Sequence, residues 1–463
     1  MFKLILLLIY LIFPLIVIFL ERKNATEALL WVLILLCFPF IGIILYLILG
    51  STLSLKLTSY IRRNKITIKK DVPIKISNNK VSDTDAAVIK FNNVYNNSLI
   101  TCYDKITPLT SGKLHYESLF NDIKNAKKYI LVEFYTIHHD LIGDKFIEIL
   151  TEKVKEGVKV IIMFDFLANI EAPNKMFKPF IKEGGKVIKI KPFLTHYRNH
   201  RKIVTIDGNI SYIGGMNIGI QYADMHKKKT PWRDTQVKLE GHATSILNNF
   251  IINDIRIALT DKKWGQLLPI IKEFKPVKYK NTSNLCQFIE SGIENDKESI
   301  KMCYLSMIRN AKKSIRIQSP YFIPDTSILD ALKTALATGI KIELMLPKIS
   351  SGFFLEPVSN YYCGELLKYG AKVYKYHGYL HAKTMIIDNE ICCVGSVNID
   401  NRSFMINDEI CGVFYENGFV KESLNIFKDD LTKCNEYKLV DFKKRTKKEK
   451  ILECIFLPFS PLM

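Results

Sequence analysis

The chain has 463 residues, enough for two or three domains that each bury a sizeable core. Its 66 Lys and Arg against 46 Asp and Glu give a formal charge of +20, which favours polyanions; nucleic acid and an anionic membrane surface both qualify, and charge alone does not choose. The ten cysteines form no CxxC pair and no zinc-type Cys/His spacing, so packing rather than redox or metal chemistry is expected of them, and free thiols fit a cytoplasmic body.

Two apolar runs open the chain, Leu4 to Leu20 and Leu29 to Gly50, the second of 22 residues. They predict a transmembrane hairpin within residues 1–50, with spans at about 4–20 and 29–50. A signal peptide is disfavoured, because only Lys3 precedes the first run and no small-residue cleavage site follows it. Lys56, Arg62, Arg63, Lys65, Lys69 and Lys70 follow the second run, whereas the intervening loop holds only Arg22 and Lys23. The positive-inside rule then places the body on the cytoplasmic side of the membrane. Residues 51–110 are polar, Lys- and Asn-rich and weakly periodic, and read as a juxtamembrane segment.

From there the chain repeats itself. "KKYILVEFYTIHHD" (127–140) matches "KKSIRIQSPYFIPD" (312–325), "EGVKVIIMFD" (156–165) matches "TGIKIELMLP" (338–347), and "EGGKVIKIKPF" (183–193) matches "YGAKVYKYHGY" (369–379). Between the first and second strands lie "DKFIEILTEKVKEG" and "DTSILDALKTALATG", apolar at helical spacing and ending at glycine. The pattern predicts two α/β halves, 111–275 and 276–463, with mixed sheets flanked by helices, pseudo-twofold symmetry and a site at their interface.

Each half then delivers the same polar motif. "NHRKIVTID" carries His200, Lys202 and Asp207; "YLHAKTMIID" carries His381, Lys383 and Asp388. On a strand, residues i and i+2 share a face, so each His and Lys should project together, with the Asp near the strand's far end. Fourteen residues after each histidine stands Gly214 or Gly395, and seventeen after stands Asn217 or Asn398. Asp234 lies 34 residues beyond its histidine and Glu409 lies 28 beyond its own. The doubled H-x-K-x4-D-x6-G-[GS]-x-N motif resembles that of the phospholipase D superfamily.

The chemistry can be stated from the residues. A phosphodiester repels nucleophiles and holds a poor alkoxide leaving group. Lys202, Lys383, Asn217 and Asn398 could neutralise and hydrogen-bond its non-bridging oxygens as charge shifts. One neutral imidazole can attack phosphorus and a protonated one can serve the leaving alcohol, so the site needs two histidines and each half supplies one. The resemblance implies His200 as nucleophile and His381 as acid/base, with Asp234 and Glu409 holding the imidazole Nδ1–H groups. It also implies that Asp207 and Asp388 support the motif backbone. No metal or other cofactor is expected: HExxH, EF-hand loops and dense Asp clusters are missing, and "IHHD" (137–140) reads as a loop.

The N-terminal "FPFIGIILYLILG", together with "PWRDTQVKLEG", "SVNIDNRSFMINDE" and the terminal "FSPLM", resembles bacterial cardiolipin synthases over essentially the whole chain, His242 departing from an expected proline. That resemblance implies phosphatidylglycerol as donor and acceptor, cardiolipin and glycerol as products, and anionic membrane lipid, not nucleic acid, as partner. Phosphatidylserine synthase, hydrolytic phospholipase D, a membrane-tethered nuclease and a catalytically dead scaffold are the alternatives. "DFKKRTKKEK" followed by "ILECIFLPFSPLM" (441–463) reads either as an interfacial element drawn to anionic lipid or as a solvated helix end before a core strand.

Overall fold

In a computed structural model of the chain, the described residues are 2–20, 25–46, 59–62, 64–65, 82–170, 174–191, 197–226, 231–274, 284–293, 297–348, 352–415 and 417–463. Runs such as "YILVEF" are buried at every position, which requires a sheet covered on both faces. Two such sheets form. The first has seven strands in the order Lys105–Leu109, Gln236–Glu240, Ile210–Gly214, Ile203–Ile206, Tyr129–Phe134, Lys159–Asp165, Lys186–Ile190. The second repeats that order as Leu285–Ser291, Glu409–Phe414, Ile391–Gly395, Thr384–Ile387, Ser314–Gln318, Lys341–Pro347, Lys372–Tyr376, with Thr101–Cys102 and Cys434–Tyr437 added at its two edges. In each, the last three of these seven strands run parallel and the others antiparallel, so the sheets are mixed.

Parallel neighbours need a crossover, and the helical patterns supply it. Leu141–Lys155 starts at Asp140, whose carboxylate accepts from the amides of Ile142 and Gly143. Thr326–Ala337 starts at the equivalent Asp325, which accepts from the Ile328 amide. Both helices are followed by a glycine in the left-handed region, Gly157 (φ 90) and Gly339 (φ 89), where a Cβ would be strained. "IHHD" therefore ends in a helix cap, and the repeat preserves the cap while dropping the histidines.

The core has three main parts. One lies between the first sheet and helices Gly112–Asn125 and Leu141–Lys155, and another between the second sheet and helices Ser299–Asn310, Thr326–Ala337 and Leu355–Leu367. The third joins the halves: Ile203, Ile213 and Val237 pack with Val394, Ile410 and Phe414.

The apolar N-terminus departs from the expected pair of spans. Phe2–Leu20 is a helix with Pro14 inside it, but the second run is divided into Ala25–Cys37 and Pro39–Leu45. Pro39 cannot donate a backbone hydrogen bond and biases Phe38 away from helical geometry, so the break falls there. Among the described residues no helix is long and apolar enough to cross a membrane. Val17, Trp31, Leu35 and Tyr46 pack the hairpin together. Of the basic residues counted for orientation, Arg22, Lys23, Lys56, Arg63, Lys69 and Lys70 lie outside the described residues. Arg62 is buried in the body, 2.9 Å from Asp408, and the Lys65 ammonium donates to the carbonyls of Ile257 and Leu259. Downstream, Asp83–Tyr95 packs against Ser299–Asn310, and residues 101–109 give one strand to each sheet.

Candidate active site

His200 and His381 do not sit within strands, as the i, i+2 argument expected. They lie in extended segments just before Ile203–Ile206 and Thr384–Ile387, and those segments pair with the opposite half. The His200 amide donates to the Asp408 carbonyl (2.8 Å), and the Asp408 amide returns a bond to the Arg198 carbonyl (2.9 Å). Likewise Tyr379–Leu380 pairs in parallel with Trp232–Arg233, and the His381 amide donates to the Arg233 carbonyl (2.7 Å). Each histidine is thus bonded to the residue immediately before the other half's carboxylate.

That backbone exchange dictates the side-chain pairing. His200 Nδ1 lies 2.9 and 3.0 Å from the Glu409 oxygens, and His381 Nδ1 lies 2.7 Å from Asp234 Oδ2. Both carboxylates are fully buried. A carboxylate at Nδ1 selects the Nδ1–H tautomer, so each Nε2 presents a lone pair. Burial would raise both acids, but Lys383 and His381 hold Asp234 below its usual range, and His200 and Lys202 hold Glu409 below its own.

Lys202 and Lys383 are buried and turn back on their own motifs. Each ammonium donates to the carbonyl of its histidine at 2.5 Å, and Lys383 Nζ also lies 2.9 Å from His381 Nδ1. Burial pushes Lys202 down to about 7 and Lys383 down to about 8. Burial, reinforced by Lys383, pushes His381 down to about 4. Burial also lowers His200, with Glu409 opposing it. Lys383 acts on His200 and Lys202 on His381, so the two motifs share one electrostatic site.

Asn217 accepts from the Thr136 amide and donates to the Tyr222 hydroxyl at 2.7 Å; Asn398 donates to the Tyr321 hydroxyl at 2.8 Å. Among the described residues Asn398 Oδ1 has no hydrogen-bond partner. Asp207 accepts from the amides of 127–129 and Asp388 from those of 312–314, each from a left-handed turn residue with φ 53. These two aspartates fasten the end of one strand to the start of its neighbour. The [GS] position of the motif gains a reason too. A Cβ at Gly215 would lie 2.2 Å from Asp234 Oδ1, whereas Ser396 in the equivalent place gives its hydroxyl to Glu409 at 2.5 Å.

Several contributors escaped the sequence reading. The Tyr135 ring lies 4.9 Å from His200 and 5.2 Å from Lys202 Nζ, and the Trp232 ring lies 5.1 Å from His381. The buried Arg201 donates to the Glu409 carbonyl, and Arg233 donates to the Asp234 carbonyl while pairing with Asp430. Aromatic residues adjoining the acid or preceding the first helix were the available signal. Among the described residues no group of three or more His, Cys, Asp or Glu is placed to hold a metal ion; His139 instead pairs with Asp144, and His138 contacts Gln221.

Two α/β halves that trade His and carboxylate across their interface, with two buried lysines beside them, define a phospholipase D-type enzyme. The family model described as "Cardiolipin synthase, PLD-like domain" matches residues 119–228 and 304–431, and "Phospholipase_D-nuclease N-terminal" matches residues 5–51. The chain is 34% identical to the major cardiolipin synthase ClsA of Bacillus subtilis, over 97% of this chain and 96% of that one. It is 33% identical to cardiolipin synthase 2 of Staphylococcus epidermidis (98% and 96% covered) and 32% identical to the cardiolipin synthase of Listeria welshimeri (99% and 98% covered). Among solved structures it shares its fold with the phosphatidylserine synthase of Haemophilus influenzae, at TM-score 0.63 and 14% identity, over 81% of this chain and 100% of that one. The chain belongs to the cardiolipin synthase family of phospholipase D-like phosphatidyltransferases.

Proposed function

We propose that this enzyme transfers a phosphatidyl group between two phosphatidylglycerol molecules, giving cardiolipin and glycerol. The observation that carries the reading is the reciprocal pairing of His200 with Glu409 and His381 with Asp234, which makes two oriented imidazoles from two half-sites. His200 Nε2 attacks phosphorus; the P–O bond to glycerol breaks, and His381 gives that oxygen its proton. His381 then takes the proton of the second lipid's terminal hydroxyl, whose oxygen attacks phosphorus and returns the P–N electron pair to His200. Each step balances, and one phosphodiester replaces another, so no nucleotide is consumed.

Burial first, and the Lys383 charge after it, lower the affinity of His381 for a proton. A phosphodiester anion between Lys202 and Lys383 offsets their field and raises His381 into its acid role. The second amide hydrogens of Asn217 and Asn398 are the groups available to the non-bridging oxygens. A site that opens on lipid favours the lipid alcohol over water. In this reading residues 1–50 attach the enzyme to the membrane with its body on the cytoplasmic side, residues 51–110 connect them and already contribute a helix and two edge strands to the body, and 111–275 and 276–463 carry the rest of the two halves.

The test is to incubate the purified chain with phosphatidylglycerol vesicles alone and resolve the products. Equimolar cardiolipin and glycerol are expected. Phosphatidic acid in their place would mean a hydrolase, and dependence on a cytidine-activated lipid would mean a different synthase.

A further inference from the structure

The helix Lys447–Phe456 is turned inside out for a soluble protein. Its Ile451 and Ile455, four residues apart on one face, are 57% and 51% exposed, while Glu453 is only 6% exposed and pairs inward with Arg445. A helix on a water-facing surface would reverse that arrangement. Beside it, Phe353 and Phe354 are 62% and 59% exposed, and their rings lie 5.6 and 5.0 Å from Phe456. Exposed aromatic and aliphatic side chains gathered in one place mark a binding surface rather than scattered surface residues. Lys447 and Lys448, one turn before Ile451, are exposed on the same side of the helix.

The patch is also continuous with the apolar N-terminus. The chain end following this helix, Leu457–Leu462, packs on Ala25–Cys37, with Leu462 against the Val17, Trp31, Leu35 and Tyr46 cluster. It also reaches the site's surroundings: the Met463 carbonyl accepts from the Arg402 amide, in a short helix capped by Asp400, and Asp400 accepts from the Tyr321 hydroxyl that holds Asn398.

We infer that Phe353, Phe354, Ile451 and Ile455, with Lys447 and Lys448, form a second membrane-contact face that lies in the surface of an anionic bilayer. The apolar residues enter the acyl boundary and the lysines meet lipid phosphates. Together with the hairpin this face sets how the body is seated over its lipid substrate, so it rests on the lipid-transfer reading above.

The test uses the full chain carrying Phe353→Trp, reconstituted in vesicles of phosphatidylglycerol brominated on the acyl chains. Indole emission should be quenched well beyond the loss seen in the parent, and less so when Lys447→Gln and Lys448→Gln are added. The combined Phe353→Ser, Phe354→Ser, Ile451→Ser and Ile455→Ser variant should need about fivefold more phosphatidylglycerol in the vesicle surface for half-maximal rate. Its turnover of a soluble nitrophenyl phosphodiester should be unchanged, which shows an intact fold and site. No added quenching, or an indole shielded only by self-association of the chain, would overturn the proposal. Quenching requires no chemistry: a quenched chain that makes no cardiolipin supports the face and overturns the reaction.

Discussion

Lys202 and Lys383 hold their protons less tightly in the folded chain than an exposed lysine does, at about 7 and about 8 against an ordinary 10.5. For a base lowered by folding, the cost is fully present below the folded value and disappears above the unfolded one. Replacing Lys202 by Met removes that cost. The Lys202→Met variant should therefore melt above the parent at pH 7, by a margin that shrinks as pH is raised towards 10, while phosphatidyl transfer falls about 10³-fold. A variant that melts lower at pH 7 would show that the lysine is held by favourable pairing instead. His381 gives a kinetic counterpart. It is pushed down to about 4 by burial and by Lys383, and a bound phosphodiester should raise it. The basic limb of kcat should then lie at higher pH than that of kcat/KM, because the latter reports the free enzyme. Coincident limbs in the two profiles would mean that the substrate anion does not retune His381.

At the scale of elements, the H-x-K motifs were plain in the sequence because fixed polar spacings survive duplication. Their mode of use was hidden. The segments around His200 and His381 carry no strand of their own half's sheet, and pair instead with 408 and 231–233 of the other half, a contact no local periodicity encodes. The crossing pairs Glu409 with His200, the proposed nucleophile, and Asp234 with His381, the proposed acid/base. Glu409→Gln should slow adduct formation even from a nitrophenyl diester, whereas Asp234→Asn should spare that step and slow turnover of the natural lipid, read by burst and steady-state rates. Equal effects of the two variants on the burst would contradict the crossing. Arg62 was hidden for a similar reason: counted as a membrane flank by its charge, it is buried against Asp408, whose carbonyl holds the His200 amide. Removing one member of a buried pair costs about 3 kcal/mol, so Arg62→Ala should be destabilised by that order in chemical denaturation. An unchanged midpoint would place Arg62 in solvent. The break at Phe38–Pro39 was legible in principle, since proline marks it, but the apolar run concealed it.

For the whole molecule, sequence repeats were enough to anticipate two mixed α/β halves, because the Val- and Ile-rich strands and glycine-ended helices recur in order. What periodicity could not say is that the sheets face each other through Ile203, Ile213, Val394, Ile410 and Phe414, so that neither half buries its inner face alone. In the proposed mechanism the duplicated halves build one site with two unlike histidines, and a substrate with an acidic leaving group separates them. Nitrophenol leaves with a pKa roughly seven units below that of a simple alcohol, so expelling it hardly needs a general acid. The decisive measurement is the pre-steady-state release of nitrophenol from a nitrophenyl phosphodiester by His200→Ala and His381→Ala. A stoichiometric burst without sustained turnover is expected from His381→Ala, and no burst from His200→Ala. A burst retained in His200→Ala and lost in His381→Ala would reverse the roles, and two unimpaired variants would contradict the two-histidine site altogether.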